Sequence, residues 1–319
     1  MAAKGWPVCS KSLKGVILDL CGVLYDCGEG GGVAISGSVE ALKKLKASDL
    51  KLRFCTNESQ EARATFVAKL QRLGFDISVS EVFSPAPAAV AALQQRGLRP
   101  HLLVCDGLLS EFDSVDKTNP NCVLIGDAAE KFSYQNLNKA FRILENLENP
   151  LLLSLGQGKY YKETDGLSLD VGAYMKALEY ACDVKAEVFG KPSSLFFQSV
   201  LNDMGLQPHE VLMIGDDLVN DVGGAQQCGI KGVQVRTGKY RWIYFFGQKQ
   251  MSGRSVFPAV ADKIQMYFPL SIKSNIFFLR YGKLCLNNLY FLFFGKVNLN
   301  SYCSGNYVAC PKANPKLEF

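Results

Sequence analysis

The sequence predicts an α/β fold with a Rossmann-like parallel sheet, and three observations carry that expectation. Short continuous apolar runs recur along the chain, of the kind buried on both faces of a sheet. Stretches with apolar residues at helical spacing lie between them. Several runs end in polar residues, and the carboxyl ends of parallel strands are where an open α/β sheet binds its ligand.

In chain order, the first run, 16–19, ends in an acid, Asp19. The glycine-rich stretch 28–32 that follows lacks the Lys-Ser/Thr pair of a nucleotide loop and reads as a flexible turn near the substrate. The second run, 52–55, ends in Thr56 and Asn57. A helix is predicted over 61–73, with Phe66, Leu70 and Leu73 on one face. Runs at 102–105, 123–125 and 151–155 follow. Ser133 is placed to cap a helix over 133–147, and Asp170 to cap one over 171–181. The run 188–189 leads into Gly190, Lys191 and Pro192, and Pro192 suits the first turn of a helix over 193–204. The run 211–214 ends in Gly215, Asp216 and Asp217, and 233–235 is the last. Between the second run and the sixth lie about a hundred residues with strands of their own, too many for a loop. Residues 86–187 therefore read as an inserted α/β cap, and 1–85 with 188–241 as the core.

Charge and aromatic content divide the chain near residue 240. Up to residue 239 there are twenty-five Lys/Arg and twenty-eight Asp/Glu; from 240 to 319 there are ten and two, with eighteen of the thirty-five aromatics. Residues 242–319 show no clear period and resemble translated non-coding sequence. They are expected to be poorly ordered beyond about residue 255. Their charges and aromatics fall on no single face, so a nucleic-acid or membrane partner is not expected. The absence of a long apolar run argues against a membrane span, and the N-terminus has no secretory h-region. The eleven cysteines have no metal-ligand spacing and read as reduced thiols of a cytosolic protein. The two histidines, His101 and His209, form no cluster.

The polar strand ends should converge on one crevice. They supply two acids, Asp19 and Asp216, with Asp217 and Asp221 behind them, the pair Thr56 and Asn57, and Lys191. Carboxylates without histidine or a cysteine cluster select a hard, oxygen-seeking cation, Mg2+. Lysine and the Thr/Asn pair supply charge and donors for phosphate oxygens. Such a set serves phosphoryl transfer, with Asp19 as candidate nucleophile. Asp106, Asp127 and the stretch Tyr160, Tyr161, Lys162 are candidate contacts from the cap.

The stretches "DLCGVLYD", "FCTNES", "VFGKPS" and "MIGDDLVND" resemble the four ordered motifs of the haloacid dehalogenase phosphatase superfamily. With "FSYQNLN", "GKYYKET" and "DVGAYMKALEYAC", the resemblance narrows to a member acting on inorganic pyrophosphate, phosphohistidine and phospholysine. It spans about 13–241 and then stops. The resemblance implies a Mg2+-dependent phosphatase that works through an aspartyl-phosphate on Asp19. Asp19, Leu20, Cys21, Thr56, Asn57 and Lys191 would bind substrate. Asp19, Asp216 and the backbone carbonyl of Cys21 would hold the metal, with Asp217 and Asp221 in support. It further implies a cytoplasmic and also nuclear location, and a homodimer formed through the cap. A catalytically impaired scaffold and a phosphatase for small monoesters stay open as alternatives.

Cys21 departs from the pattern, which has an aspartic general acid at this position. A backbone carbonyl can still ligate metal whatever the side chain. The proton donor is what goes missing, and such an acid is worth ~10²–10⁴-fold in rate when the leaving group is a basic alkoxide. Phosphate expelled from pyrophosphate, or an amine from a phosphoramidate, needs it less. The other reading is a thiol that donates weakly, or a mark of lost activity.

Overall fold

A computed structural model describes residues 13–163, 166–239 and the pair 278–279. The strands in chain order are β1 (Gly15–Leu18), β2 (Tyr25–Asp26), β3 (Val33–Ala34), β4 (Lys51–Cys55), β5 (Val82–Phe83), β6 (Pro100–Leu103) and β7 (Cys122–Ile125). They continue with β8 (Leu152–Ser154), β9 (Tyr160–Lys162), β10 (Leu167–Leu169), β11 (Glu187–Val188), β12 (Val211–Gly215), β13 (Lys231–Val235) and β14 (Phe278–Leu279).

The main sheet has the order β14-β13-β12-β1-β4-β5, and every neighbouring pair is parallel. β1 is buried along its whole length between β12 and β4. Its side chains alternate between two apolar layers, as strand geometry requires. Val16 and Leu18 pack with Phe54, Phe66 and Leu70, under the helix Arg63–Arg72. Ile17 packs on the opposite side with Phe197, Val200 and Met204 of the helix Ser194–Met204. Because the strands run parallel, β1, β4 and β12 deliver Asp19, Thr56 and Asp216 to the same edge.

A second parallel sheet, β11-β8-β7-β6, is also covered on both faces. Helix Pro85–Gln95 contributes Ala86, Ala89 and Leu93 to one side. Helices Tyr134–Glu145 and Val171–Cys182 contribute Leu144, Met175 and Leu178 to the other. The expected caps form: Ser133 Oγ accepts from Asn136 N, and Asp170 from Val171 N.

The structure differs from the sequence reading in a few places. Glu187–Val188 pairs with β8, so the run before Lys191 is an edge of the second sheet rather than a strand of the first. Pro192 stands before Ser193, the residue that precedes helix Ser194–Met204, and not in its first turn. The hairpins β2–β3 and β9–β10 and the two-residue strand β5 have no counterpart in the apolar runs, because strands of two or three residues carry too little periodicity. The 28–32 stretch forms the turn of the β2–β3 hairpin. The expectation for residues 242–319 lies outside the described residues, except that Phe278–Leu279 pairs parallel with β13.

Phe66 is 1% exposed and joins its helix to β1 and β4. Phe66→Ala should lower unfolding free energy by ~3–5 kcal/mol, transfer and cavity terms together. Denaturant titration measures it, and a loss below ~1 kcal/mol would mean that this layer is not the packed core described here.

Candidate active site

Lys191 is the centre around which the site is built. It is 3% exposed, and its ammonium donates to Asp19 Oδ1 at 2.6 Å, Asp221 Oδ1 at 2.6 Å and the Cys55 carbonyl at 2.8 Å. All three N–H groups are thereby used. Burial alone would lower its pKa, but the charges of Asp19 and Asp221 outweigh that and hold it above the ordinary lysine value. The lysine comes from the turn after β11, and a reciprocal clasp holds the turn. Asn57 Oδ1 accepts from Lys191 N at 2.8 Å, and Asn57 Nδ2 donates to Lys191 O at 2.9 Å. Asn57, expected to bind phosphate, uses its amide oxygen and one amide N–H to position the lysine. Thr56 Oγ1 accepts from Glu58 N at 3.0 Å, so its hydroxyl proton still has a donor role open. Gly190 makes the clasp possible: a Cβ there would lie 2.5 Å from the Leu155 carbonyl and 2.6 Å from Asn57 Oδ1.

Carboxylate oxygens of Asp19, Asp216 and Asp221 lie within 4.8 Å of one another, and all three residues are buried. They differ in what is left over. Asp221 accepts from Lys191 at one oxygen and from Asp217 N at the other, 3.0 Å away. Asp19 Oδ2 and Asp216 Oδ1 accept no hydrogen bond among the described residues. Burial, then the Asp19 charge, raises Asp216 well above the usual carboxylate range and pushes Asp221 up to about 7 against the pull of Lys191. Buried carboxylates with open oxygens and no sulfur or imidazole ligand fit a hard divalent cation. Asp217 acts locally, capping the turn Leu218–Gly223 through Val219 N and Asn220 N, both at 2.9 Å. Burial raises its pKa, but Lys239 and these N–H donors together bring it below the ordinary value.

Three further contributors carry no signal in the sequence reading. Lys239 N donates to Asp216 Oδ2 at 2.7 Å, and Lys239 Nζ lies 3.4 Å from Asp217 Oδ2. Gly22 and Gly238, both at positive φ (82° and 59°), let the backbone close on Asp216, since a Cβ at either would fall 2.3 or 2.0 Å from Oδ2. "RTGKYR" is visible in the sequence, but nothing in its spacing points to the carboxylate it holds.

From the second sheet, Asp127 Oδ2 accepts from Gln60 Nε2 at 2.8 Å and Asp127 N donates to Ser59 Oγ at 2.9 Å. Gln60 Nε2 also reaches the Tyr161 hydroxyl at 3.4 Å. Burial, then Asp127, pushes the Tyr161 phenol up to about 12. Asp127 and Tyr161 thus face the loop that follows β4, whereas Asp106 pairs with Lys131 on the surface.

Family models match in two places: "Haloacid dehalogenase-like hydrolase" over residues 16–118 and a HAD-hydrolase-like model over 188–242. A Danio rerio protein named phospholysine phosphohistidine inorganic pyrophosphate phosphatase is 75% identical over 231 residues, covering 72% of this chain and 86% of its own. The chain belongs to the haloacid dehalogenase-like hydrolase family. The Homo sapiens protein of the same name is 64% identical over 229 residues, 72% of this chain and 85% of its own. A solved Thermotoga maritima 4-nitrophenylphosphatase shares the fold, with TM-score 0.66 and 24% identity over 76% of this chain and 92% of that one.

At Cys21 the structure corrects the expectation of reduced thiols. Cys21 and Cys27 form a disulfide, with Cα atoms 6.2 Å apart, while Cys55, Cys105, Cys122, Cys182 and Cys228 are free. The β2 strand turns back beside the Cys21 turn and brings the two within disulfide reach. In this state Cys21 carries no thiol proton and cannot donate, even weakly.

Gly190→Ala should break the Asn57–Lys191 clasp, lowering stability by ~1–3 kcal/mol and phosphatase turnover with it; thermal melts and phosphate release check both, and unchanged turnover would remove the clasp from the site. The disulfide closes a loop so short that the chain-entropy relation gives it about 2 kcal/mol. Cys27→Ser should therefore be less stable than the parent without reductant, and indistinguishable from it in dithiothreitol.

Proposed function

We propose that this hydrolase is a magnesium-dependent phosphatase that cleaves inorganic pyrophosphate and the P–N bonds of phosphohistidine and phospholysine through Asp19. The observation that carries the reading is the buried Asp19–Asp216–Asp221 cluster with Lys191 bonded to two of its members. The relative at 75% identity, named for these three substrates, supports the substrate class.

One carboxylate oxygen of Asp19 attacks phosphorus. The bond from phosphorus to the bridging oxygen or nitrogen breaks, and its electron pair leaves with phosphate, imidazole or amine. Water then attacks phosphorus in the acyl phosphate, orthophosphate departs and the Asp19 carboxylate is restored. Lys191 orients Asp19 through Oδ1 and offsets charge on the phosphoryl oxygens. Asp221, taken up by Lys191 and Asp217 N, holds the lysine in place. Thr56 Oγ donates to a phosphoryl oxygen. Asp19, Asp216 and the Cys21 carbonyl would hold magnesium, which supplies Lewis-acid neutralisation of the phosphoryl group. With Cys21 in a disulfide, no side chain at that position protonates the leaving group, which favours phosphate and nitrogen leaving groups over alkoxides.

The test is phosphate release from pyrophosphate by the purified full chain. Turnover should require added magnesium and vanish with a chelator. Asp19→Asn should reduce it by at least ~10³-fold while keeping the parent's circular dichroism, since an amide is no nucleophile toward phosphorus. Asp19→Asn turning over near the parent's rate would exclude the covalent route. A parent that releases no phosphate from any of the three substrates would leave the scaffold reading standing.

A further inference from the structure

We propose that Lys239 determines specificity for the anhydride: its ammonium holds the second, departing phosphate of pyrophosphate. The inference rests on the proposed pyrophosphatase reading and adds a residue to that site. The main chain of Lys239 is anchored at the heart of the site, its N–H on Asp216 Oδ2 at 2.7 Å. Its side chain then leads away from Lys191. The ammonium lies 3.4 Å from Asp217 Oδ2 and feels the charges of Asp217, Asp216 and Asp170. Asp170 heads the helix Val171–Cys182, which packs on the second sheet, so Lys239 sits on the seam between the two halves of the crevice.

Two features suit it to a mobile anion rather than to a structural pair. Its one ion pair among the described residues is long, which leaves two N–H donors open, in contrast to the three short bonds of Lys191. Its side chain is a quarter exposed, so a ligand entering along the seam can reach it. The charge balance also calls for it. Asp19, Asp216, Asp217, Asp221 and Asp170 surround the crevice, and Lys191 pairs with two of them. A monoester brings one phosphate, whose charge the metal and Lys191 can meet. Pyrophosphate brings a second anionic group beside Asp217 and Asp170, where it would be repelled without a cation. An imidazole or amine leaving group makes no such demand.

The experiment compares the full chain with Lys239→Met and Lys239→Arg on pyrophosphate and on p-nitrophenyl phosphate, with magnesium present. It also measures competitive inhibition of p-nitrophenyl phosphate hydrolysis by methylenediphosphonate and by orthophosphate. The anchor on Asp216 is a main-chain N–H and survives either substitution. Lys239→Met removes a charge-assisted hydrogen bond that only the anhydride makes. It should lower kcat/KM for pyrophosphate ~10-fold or more beyond any fall for p-nitrophenyl phosphate. The inhibition constant of methylenediphosphonate should weaken by a similar factor relative to that of orthophosphate, and arginine should recover most of both. Equal falls on both substrates, or no change in the two inhibition constants relative to each other, would overturn the assignment and leave the Lys239 side chain a structural partner of Asp217. A parent that hydrolyses p-nitrophenyl phosphate but not pyrophosphate would instead sink the pyrophosphatase reading, and the inhibition ratio would still decide the role of Lys239.

Discussion

A buried ammonium between two buried carboxylates is the constraint on which this site depends. Lys191 reaches Asp19, Asp221 and a main-chain carbonyl from a turn far away in the sequence. Charges so placed persist only when each is paired and hydrogen-bonded, because desolvation otherwise outweighs their attraction. The surrounding contacts follow from that demand. Asn57 grips both backbone groups of Lys191, and Asp217 N satisfies the free oxygen of Asp221. What remains unsatisfied among the described residues, Asp19 Oδ2 and Asp216 Oδ1, is where a cation fits.

Glycine at particular positions permits this density. The backbone at Gly22 and Gly238 closes on Asp216, and Gly190 lies against Asn57, with no room for a side chain at any of the three. The site is thus shaped by main-chain proximity as much as by side-chain chemistry. The same holds for Lys239, whose backbone reaches the proposed metal carboxylate while its ammonium lies near Asp217.

Cys21 sits in a turn whose frame does not depend on its side chain. The turn that carries it is held by contacts indifferent to its side chain, including the Thr237 hydroxyl on the Gly22 carbonyl. The backbone frame can therefore keep its place whatever side chain stands at this position. Bonding to Cys27 then ties the turn to the neighbouring hairpin.

The sequence alone determined the parallel core. β1 and β12 are continuous apolar runs of the kind buried on both faces of a sheet, and β4 carries Leu52, Phe54 and Cys55 inward beside them. It also determined that Asp19, Thr56 and Asp216 gather, since they follow runs whose carboxyl ends share an edge. The helix caps Ser133 and Asp170 were legible for a similar reason, since a cap acts within a few residues of itself. Other features were settled only by tertiary structure. The pairing of Glu187–Val188 with β8 depends on a strand some thirty residues away, and a two-residue run does not name its partner. Asn57 looked like a phosphate ligand because an amide suits phosphate as well as backbone. The approach of Lys191, brought 134 residues along the chain, shows the second use: Asn57 grips the lysine backbone. The Cys21–Cys27 bond depends on a hairpin too short to show periodicity, and the hold of Lys239 on Asp216 runs through a backbone N–H that every residue but proline possesses. Side-chain type and local period are written in the sequence; which backbone group meets which carboxylate is set by how distant segments pack.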